Sequence, residues 1–432
     1  MSSRIGVRQM KADNYALVLK KSKRDFFSFH KNNSPVRSPS WDEDLLREFL
    51  ICVHDNPDID DVYLASGEEV SVRCSKGNLP ISLEDGCVPI PVPSNVLQTF
   101  FQSVNIDFFS VVRSGGRMSV RVQVVRPGKE SKCTFRLEVC SYSNGPESMS
   151  AAGVLRPNAV PPLLKDLNIH PLSKSIESIR SGMILFLGAT GTGKSTSIFS
   201  ILLERARVSS ETIITIEDPI EYDITSPKSK QSRVFQFDIS DMGASGFTGA
   251  LHSLVRMHPD TVLVGEMRDL ASVEAALAVS RSGHQLFSTV HVDRPWNAPN
   301  RIFEIIHSEG TGRTTLMMDF ITNLRVMVAQ KLIPNLEGGK TAIQDVLILS
   351  DEDKLLLFKT FSCIQSKSTP LKHEDVEFYS VADAIRHLTF RNEAQGRGIT
   401  METMLEQAWN AQQISELVYR SEIEKLAFNV LE

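Results

Sequence analysis

At 432 residues the chain exceeds what one hydrophobic core usually serves, so two or three domains are expected. Hydrophobic residues make up 41% and charged residues 23%, which excludes a disordered or fibrous chain. The net charge of −5 gives no overall bias toward nucleic acid, and no apolar run approaches the ~20 residues of a spanning helix.

The N-terminus MSSRIGVRQMKADNY lacks the apolar stretch of a signal peptide, so a cytosolic location is expected. Residues 1–40 are polar and basic and read as a solvated, flexible arm. Within it KKSKRDFF (20–27) combines cations and aromatics, a composition suited to anionic lipid or nucleic acid. From Trp41, WDEDLLREFLICVHD has helical apolar spacing. DVYLASGEEVSVRCSKG alternates about Gly67 as a hairpin does, and GRMSVRVQVVRP and KCTFRLEVCSY read as further strands. Together they predict an α+β domain over 41–150. SNGPESMSAAGVLRPNAVPP (143–162) is rich in Gly, Pro and Ser and reads as a boundary, with 151–168 as the linker. The six cysteines show no C-x-x-C spacing. Cys133 and Cys140 are near enough in sequence to pair, but reduced thiols are expected in a cytosolic chain.

From Ile169 the pattern changes. ILFLGA, TIITIED, TVLVGE and QLFSTV read as strands, and STSIFSILLERAR, FTGALHSLVRM and LASVEAALAVSRS as helices. Such alternation predicts a mainly parallel sheet covered by helices, an α/β domain over 169–350. Residues 351–432 read as helical, with QSKSTPLKHED as a loop.

GATGTGKS (188–195) fits G-x-x-x-x-G-K-[ST], between an apolar strand and an amphipathic helix. Its backbone, Gly188, Ala189, Thr190, Gly191, Thr192 and Gly193, is expected to curl around a phosphate, with the helix N-terminus adding positive charge. Lys194 reaches the β- and γ-phosphates, Ser195 ligates Mg²⁺ and Thr196 seats the α-phosphate in this reading. No guanine-selecting N-K-x-D is present, which favours ATP.

Three further clusters fall at strand ends. TIEDPIEY (215–222) offers Glu217, Asp218 and Glu221, either for magnesium-bound water and water activation or as a solvated turn shaped by Pro219. TVLVGEMRD (261–269) ends in Gly265 and Glu266, with glycine where an acidic residue often helps hold magnesium; Gly265 is expected to let the strand end approach the nucleotide. SGHQLFSTVH (282–291) sets His284 and His291 at two ends of one strand, either as γ-phosphate sensors or as hydrogen-bonded core residues. Their separation argues against a shared metal.

The ordered set GATGTGKST, TIEDPIEY, TVLVGEMRD and SGHQLFSTVH resembles the Walker A, Asp box, Walker B and His box of the type II/type IV secretion and pilus motor ATPases, the PilT/GspE superfamily. GRTTLMMDFITNLRVMVAQKLIPNLEGGKTAIQDVLILSDE is similar to the DotB-type ATPases of type IVB (Dot/Icm-like) secretion and conjugative transfer, with PilT nearly as close. The resemblance implies a RecA-like P-loop NTPase domain, a smaller PAS-like N-terminal domain and a helical C-terminal region. It implies an ATP- and Mg²⁺-dependent homo-hexamer working with platform proteins at the cytoplasmic face of the inner membrane. Carried over by position, Glu266 and Glu221 handle the attacking water, and His284 and His291 sense the γ-phosphate or link sites. Arg136 in FRLEV and Arg156 in GVLRP stand as arginine fingers, while Ser195, Glu217 and Asp218 serve the metal. HVDRPWNAPNRI departs from the family pattern at Pro295 and Trp296. A RecA-like DNA translocase and a non-hydrolysing assembly scaffold are the alternatives; the acidic pI of about 6.1 argues against direct nucleic-acid binding.

Overall fold

The computed structural model describes residues 15–19, 27–31 and most of 41–428. Within the last span, 57–58, 75–76, 83–90, 104–116, 126–131, 144–148, 158–160, 168, 226–230, 240–256, 308–313, 338, 367–369 and 374–375 are not described. Most of KKSKRDFF and nearly all of the expected helix FTGALHSLVRM therefore lie outside the described residues. Internal contacts divide the chain into two units, Met1–Ala159 and Val160–Glu432.

In the first unit Asp42 caps the helix Glu43–His54 by accepting from the Leu45 amide at 2.8 Å. Leu46, Phe49, Leu50 and Val53 recur at helical spacing and are all buried. Trp41 packs edge-on against Phe49, 5.6 Å between ring centroids. The sheet has strands β1 (Tyr15–Leu19), β2 (Phe27–Lys31), β3 (Ile59–Ala65), β4 (Ser71–Cys74), β5 (Gly77–Ser82), β6 (Arg117–Val125), β7 (Lys132–Ser143) and β8 (Met149–Pro157). Their order is β2-β1-β5-β4-β3-β8-β7-β6.

Two expectations change here. Part of the arm forms the strand pair β1–β2, and β1 joins β5 in parallel. The stretch read as a linker contains β8, which pairs with both β3 and β7. Its small residues are packing residues: a Cβ on Gly153 would stand 3.0 Å from Leu137 Cδ1, and Leu155 is buried. Cys133 is buried and Cys140 exposed on β7; among the described residues Cys52, Cys74, Cys133, Cys140 and Cys363 are free thiols.

The second unit is built on β9 (Gly182–Leu187), β10 (Thr212–Glu217), β11 (Arg233–Asp238), β12 (Thr261–Val264), β13 (Gln285–Val290), β14 (Leu324–Pro334), β15 (Lys340–Ile348) and a short β18 (Gly398–Ile399). The order is β11-β10-β12-β13-β9-β14-β15-β18. Pairing is parallel from β11 to β14, then antiparallel. Alternate residues of β9 enter opposite cores: Met183, Leu185 and Leu187 on one face, Ile184 and Phe186 on the other. Both faces are covered, which is why these strands read as continuous apolar runs.

The C-terminal region carries the helices Asp351–Gln365, Val381–Ala394, Met401–Asn410 and Glu416–Phe428. It is not separate from the sheet. β18 pairs with β15, and the Met401 amide donates to Asp345 of β15 at 2.7 Å. Within the stretch read as a loop, β16 (Leu371–His373) pairs with β17 (Val376–Phe378), which follows it. Short strands of this kind lack the length that makes periodicity legible.

The segment that departs from the family pattern is tied down. The Arg294 guanidinium is buried, 4.4 Å from the centroid of the Trp296 ring, and pairs with Asp345 at 3.0 Å and Glu402 at 2.9 Å. Trp296 also stacks on Phe390, 6.3 Å between centroids. The turn after β13 is thereby anchored on the C-terminal helices.

Candidate nucleotide site

Because β9, β10, β12 and β13 run parallel, their C-terminal ends share one edge, where ligands sit in open α/β sheets. In register, Leu187 faces Val290 and Ile216 faces Val264. This brings the phosphate loop, Glu217–Glu221, Gly265–Glu266 and His291 to the same edge.

The loop follows β9 and opens the helix Lys194–Val208. Gly188, Gly191 and Gly193 have φ of 146°, 81° and 83°, the region that glycine tolerates. Lys194 is buried and donates from Nζ to Gly188 O at 2.7 Å and Ala189 O at 2.8 Å. Burial lowers its pKa, opposed by the charges of Glu266 and Glu221. Both glutamates therefore act electrostatically on the lysine. Ser195 follows Lys194 in the first turn of this helix, where Thr192 Oγ1 closes the loop onto Ala189 O at 3.0 Å. Thr196 Oγ1 hydrogen-bonds Tyr222 OH at 2.8 Å. Thr190 belongs to the exposed rim of the loop.

The acidic turn is held from beneath. Glu217 is buried, with Oε1 accepting from Thr215 Oγ1 at 2.6 Å and Gln236 Nε2 at 3.1 Å, and Oε2 from the Glu221 amide at 3.0 Å. Asp238 accepts from the Ile220 amide at 3.2 Å, and Gln236 Oε1 accepts from the Ile224 amide at 3.0 Å. Asp218 pairs with Arg268 at 2.8 Å. Glu217, expected at the metal, instead shapes the turn that presents Glu221. Burial pushes its pKa from 4.5 up to about 7. A folded-state pKa above the unfolded one stabilises the fold fully below pH 4.5 and loses that contribution as pH rises through 7. Wild-type stability should therefore fall by up to about 3 kcal/mol across that window from this group. Chemical denaturation from pH 4.5 to 8 should show a fall that is shallower in Glu217→Gln than in the wild type, the remainder including Asp345, whose carboxyl burial also pushes up to about 7; parallel profiles would rule the assignment out.

Gly265 makes a close contact within the sheet. Its amide donates to Ile216 O at 2.9 Å, and a Cβ there would stand 3.2 Å from that oxygen and 3.7 Å from Glu217 Cα. The close approach is to β10, so glycine draws the two strand ends together. Beyond it Glu266 Oε1 lies 3.4 Å from His291 Nε2, and the two side chains are 39% and 40% exposed. His291 is thus at the site edge beside Glu266.

The structure does not bring His284 there. His284 precedes β13, and Gln285 is in register with Gly182, the first residue of β9. It stands at the opposite edge of the sheet, roughly 20 Å along a strand of this length. There Ser282 Oγ and His284 Nδ1 are 2.7 Å apart, in a polar cavity of about 520 Å³ with Arg180, Glu211 and His258. Arg136 and Arg156 lie in the first unit, in register on β7 and β8. Each meets a carboxylate: Arg136 Nη2 meets Glu138 at 2.9 Å and Arg156 Nε meets Asp61 at 2.8 Å.

Sequence reasoning missed Gln236, Tyr222 and Gln330, which support the acidic turn and the loop. For Gln236 and Gln330 a polar residue inside an apolar strand was the available signal, because buried amides need partners.

The residues present fit magnesium. Mg²⁺ prefers hard oxygen donors, retains waters and uses one or two protein ligands beside phosphates. Ser195 in the first helical turn, with Glu221 and Glu266 near Lys194, offers that chemistry. Among the described residues no cluster of three or more His, Cys, Asp or Glu forms a protein-only cage.

A phosphate loop at the end of a parallel-sheet strand, with acidic residues at neighbouring strand ends, defines the RecA-like P-loop fold. The chain belongs to the Type II/IV secretion system protein family, which it matches over residues 164–423, more than half its length. It is 33% identical over 188 residues to the type IV pilus ATPase PilU of Pseudomonas aeruginosa, covering 43% of this chain and 48% of PilU. It is 31% identical over 210 residues to the pilus retraction ATPase PilT of the same organism, covering 47% and 59%. With the type II secretion system ATPase E of Vibrio cholerae it shares 30% over 185 residues, 42% of this chain and 34% of the other. The chain thus spans between about a third and three fifths of the length of these relatives. Among solved structures, the Legionella pneumophila ATPase DotB has a TM-score of 0.69 at 20% identity, covering 90% of this chain and 98% of DotB. The pilus retraction motor PilT with bound ADP has a TM-score of 0.64 at 25% identity, covering 87% and 95%. These likenesses bear out the expected superfamily and fold. Among the described residues no helix is long and apolar enough to cross a membrane.

Proposed function

We propose that the chain is an ATPase that powers a secretion or transfer machine. The observation that carries this is the convergence of Lys194, Glu221, Glu266 and His291 at one sheet edge, with Lys194 in the field of both carboxylates. The loop amides and Lys194 cradle the β- and γ-phosphates, with Lys194 exchanging its loop carbonyls for phosphate oxygens. Bound magnesium, held by Ser195, supplies charge neutralisation on those phosphates. Glu266 orients the attacking water and accepts its proton, Glu221 presents a second carboxylate, and His291 fixes Glu266. Arg136 and Arg156 act as arginine fingers, a role worth about 10³–10⁵ in rate in related NTPases.

The proposed assembly is a homo-hexamer in the cytoplasm, peripheral to the inner membrane and acting on its platform proteins. A type IVB or conjugation-like machine is the first reading, supported by the likeness of residues 312–352 to the DotB type. Pilus retraction is the second, supported by the identity to PilT and PilU. Purified full-length chain should release phosphate from ATP with Mg²⁺ and stop when EDTA is added. No release, or release indifferent to EDTA, would refute the ATPase reading. Turnover that requires DNA and falls steeply with salt would replace it by a DNA translocase.

A further inference from the structure

Beneath the phosphate loop runs a buried chain of side-chain amides. Gln330 of β14 and Gln344 of β15 are cross-strand partners in register. Gln330 Nε2 donates to Thr192 O of the loop at 2.7 Å. Gln330 Oε1 accepts from Gln344 Nε2 at 2.8 Å and from Ser197 Oγ at 2.9 Å. Gln344 Oε1 accepts in turn from the His170 amide at 3.1 Å and Ser173 Oγ at 2.8 Å. Gln330, Gln344, Ser173 and Ser197 are all buried.

The direction of this chain is fixed by the backbone at both ends. The His170 N–H can only donate and the Thr192 carbonyl can only accept. Both amides therefore have one orientation that satisfies every group, and flipping either leaves like atoms facing each other in the buried interior. The far end is itself braced, because His170 Nδ1 accepts from the Leu172 amide at 3.2 Å. Burial lowers the His170 pKa, which favours the neutral ring, and the Leu172 amide selects the tautomer with Nδ1 as acceptor.

The near end bears on phosphate geometry. In a trans peptide C=O and N–H point opposite ways. Holding Thr192 O down on Gln330 therefore turns the Gly193 N–H away from Gln330. The contact is close: a Cβ on Gly193 would lie 2.8 Å from Gln330 Nε2, and one on Gly188 2.6 Å from Gln330 O.

We propose that Gln330 and Gln344 are positioning residues, a hydrogen-bond relay through which the His170–Ser173 turn sets the conformation of the phosphate loop and its nucleotide affinity. The relay rests on the nucleotide-site reading above. Its outer end lies near the start of the ATPase unit, whose first residue is Val160. Displacement of the chain there would reach the loop by this route.

Gln344→Glu is the discriminating variant. It keeps size and the acceptor toward His170 and Ser173 and, measured at pH 9 where a buried carboxyl is ionised, sets a carboxylate oxygen against Gln330 Oε1. Two readouts on the full chain are needed: Mg-ADP affinity by calorimetry, and amide hydrogen exchange across residues 188–196. The variant is expected to bind ADP about three- to tenfold more weakly, the worth of one hydrogen bond, with faster exchange in the loop. In a Gln330→Met background the same change should alter affinity by less than about twofold, because its route is cut. Unchanged loop exchange with unchanged affinity would overturn the relay, even if the melting temperature falls. So would a loss of affinity that persists in the Gln330→Met background. Should Gln344→Glu fail to fold, Gln344→Met carries the same expectations. Wild-type protein that binds no ADP would refute the nucleotide site, while loop exchange still decides the relay.

Discussion

Glu266→Gln is expected to lower turnover by about 10²–10⁴-fold, the usual worth of a positioned general base. Glutamine keeps the size and the hydrogen-bonding reach of the side chain but cannot take a proton. Glu266 is well placed for that role: it follows β12, is 39% exposed, and stands 3.4 Å from His291 Nε2. The variant should still bind ATP, because in the proposed site the loop and Lys194 make the phosphate cradle. Single-turnover phosphate release with a parallel nucleotide titration separates the two effects. Turnover near wild type would transfer the base role to Glu221, whose amide is fastened to Glu217 at 3.0 Å.

Lys194→Ala is expected to weaken ATP binding by about 10- to 100-fold and to bring turnover to background, since a hydrogen bond to a charged group is worth about 1.5–3 kcal/mol. The lysine does two jobs. Its ammonium bonds the carbonyls of Gly188 and Ala189, so it holds the loop's shape. It is also the cation on which Glu221 and Glu266 act, so in the proposed site its loss leaves two carboxylates facing the polyphosphate. Equilibrium dialysis of the variant with ATP measures the first consequence, and binding equal to wild type would refute the assigned role.

Much of this site was legible in the sequence because its chemistry is local. GATGTGKS needs glycine at positions of positive φ, and Gly188, Gly191 and Gly193 take them up. The parallel sheet was legible too, since strands covered on both faces must be apolar throughout. What stayed hidden depends on tertiary neighbours. Glu217 and Glu221 look alike in TIEDPIEY, and tertiary donors such as Thr215 and Gln236 separate a buried brace from a half-buried carboxylate. His284 and His291 look paired in SGHQLFSTVH, yet a parallel strand carries one to each edge of the sheet. β8 was obscured by glycine, proline and serine, whose smallness at Gly153 is a packing requirement rather than a turn. Gln330 and Gln344 carry no local signature, because their meaning lies in each other.

Hydrolysis of ATP at the strand-end site built on Lys194 and Glu266 is tested most directly by steady-state phosphate release from wild type and Lys194→Ala, side by side with Mg-ATP and in the same state of assembly. Sustained release by the wild type and background release by the variant is the predicted result. Equal release by both, or none by a wild type that binds ATP, would contradict it.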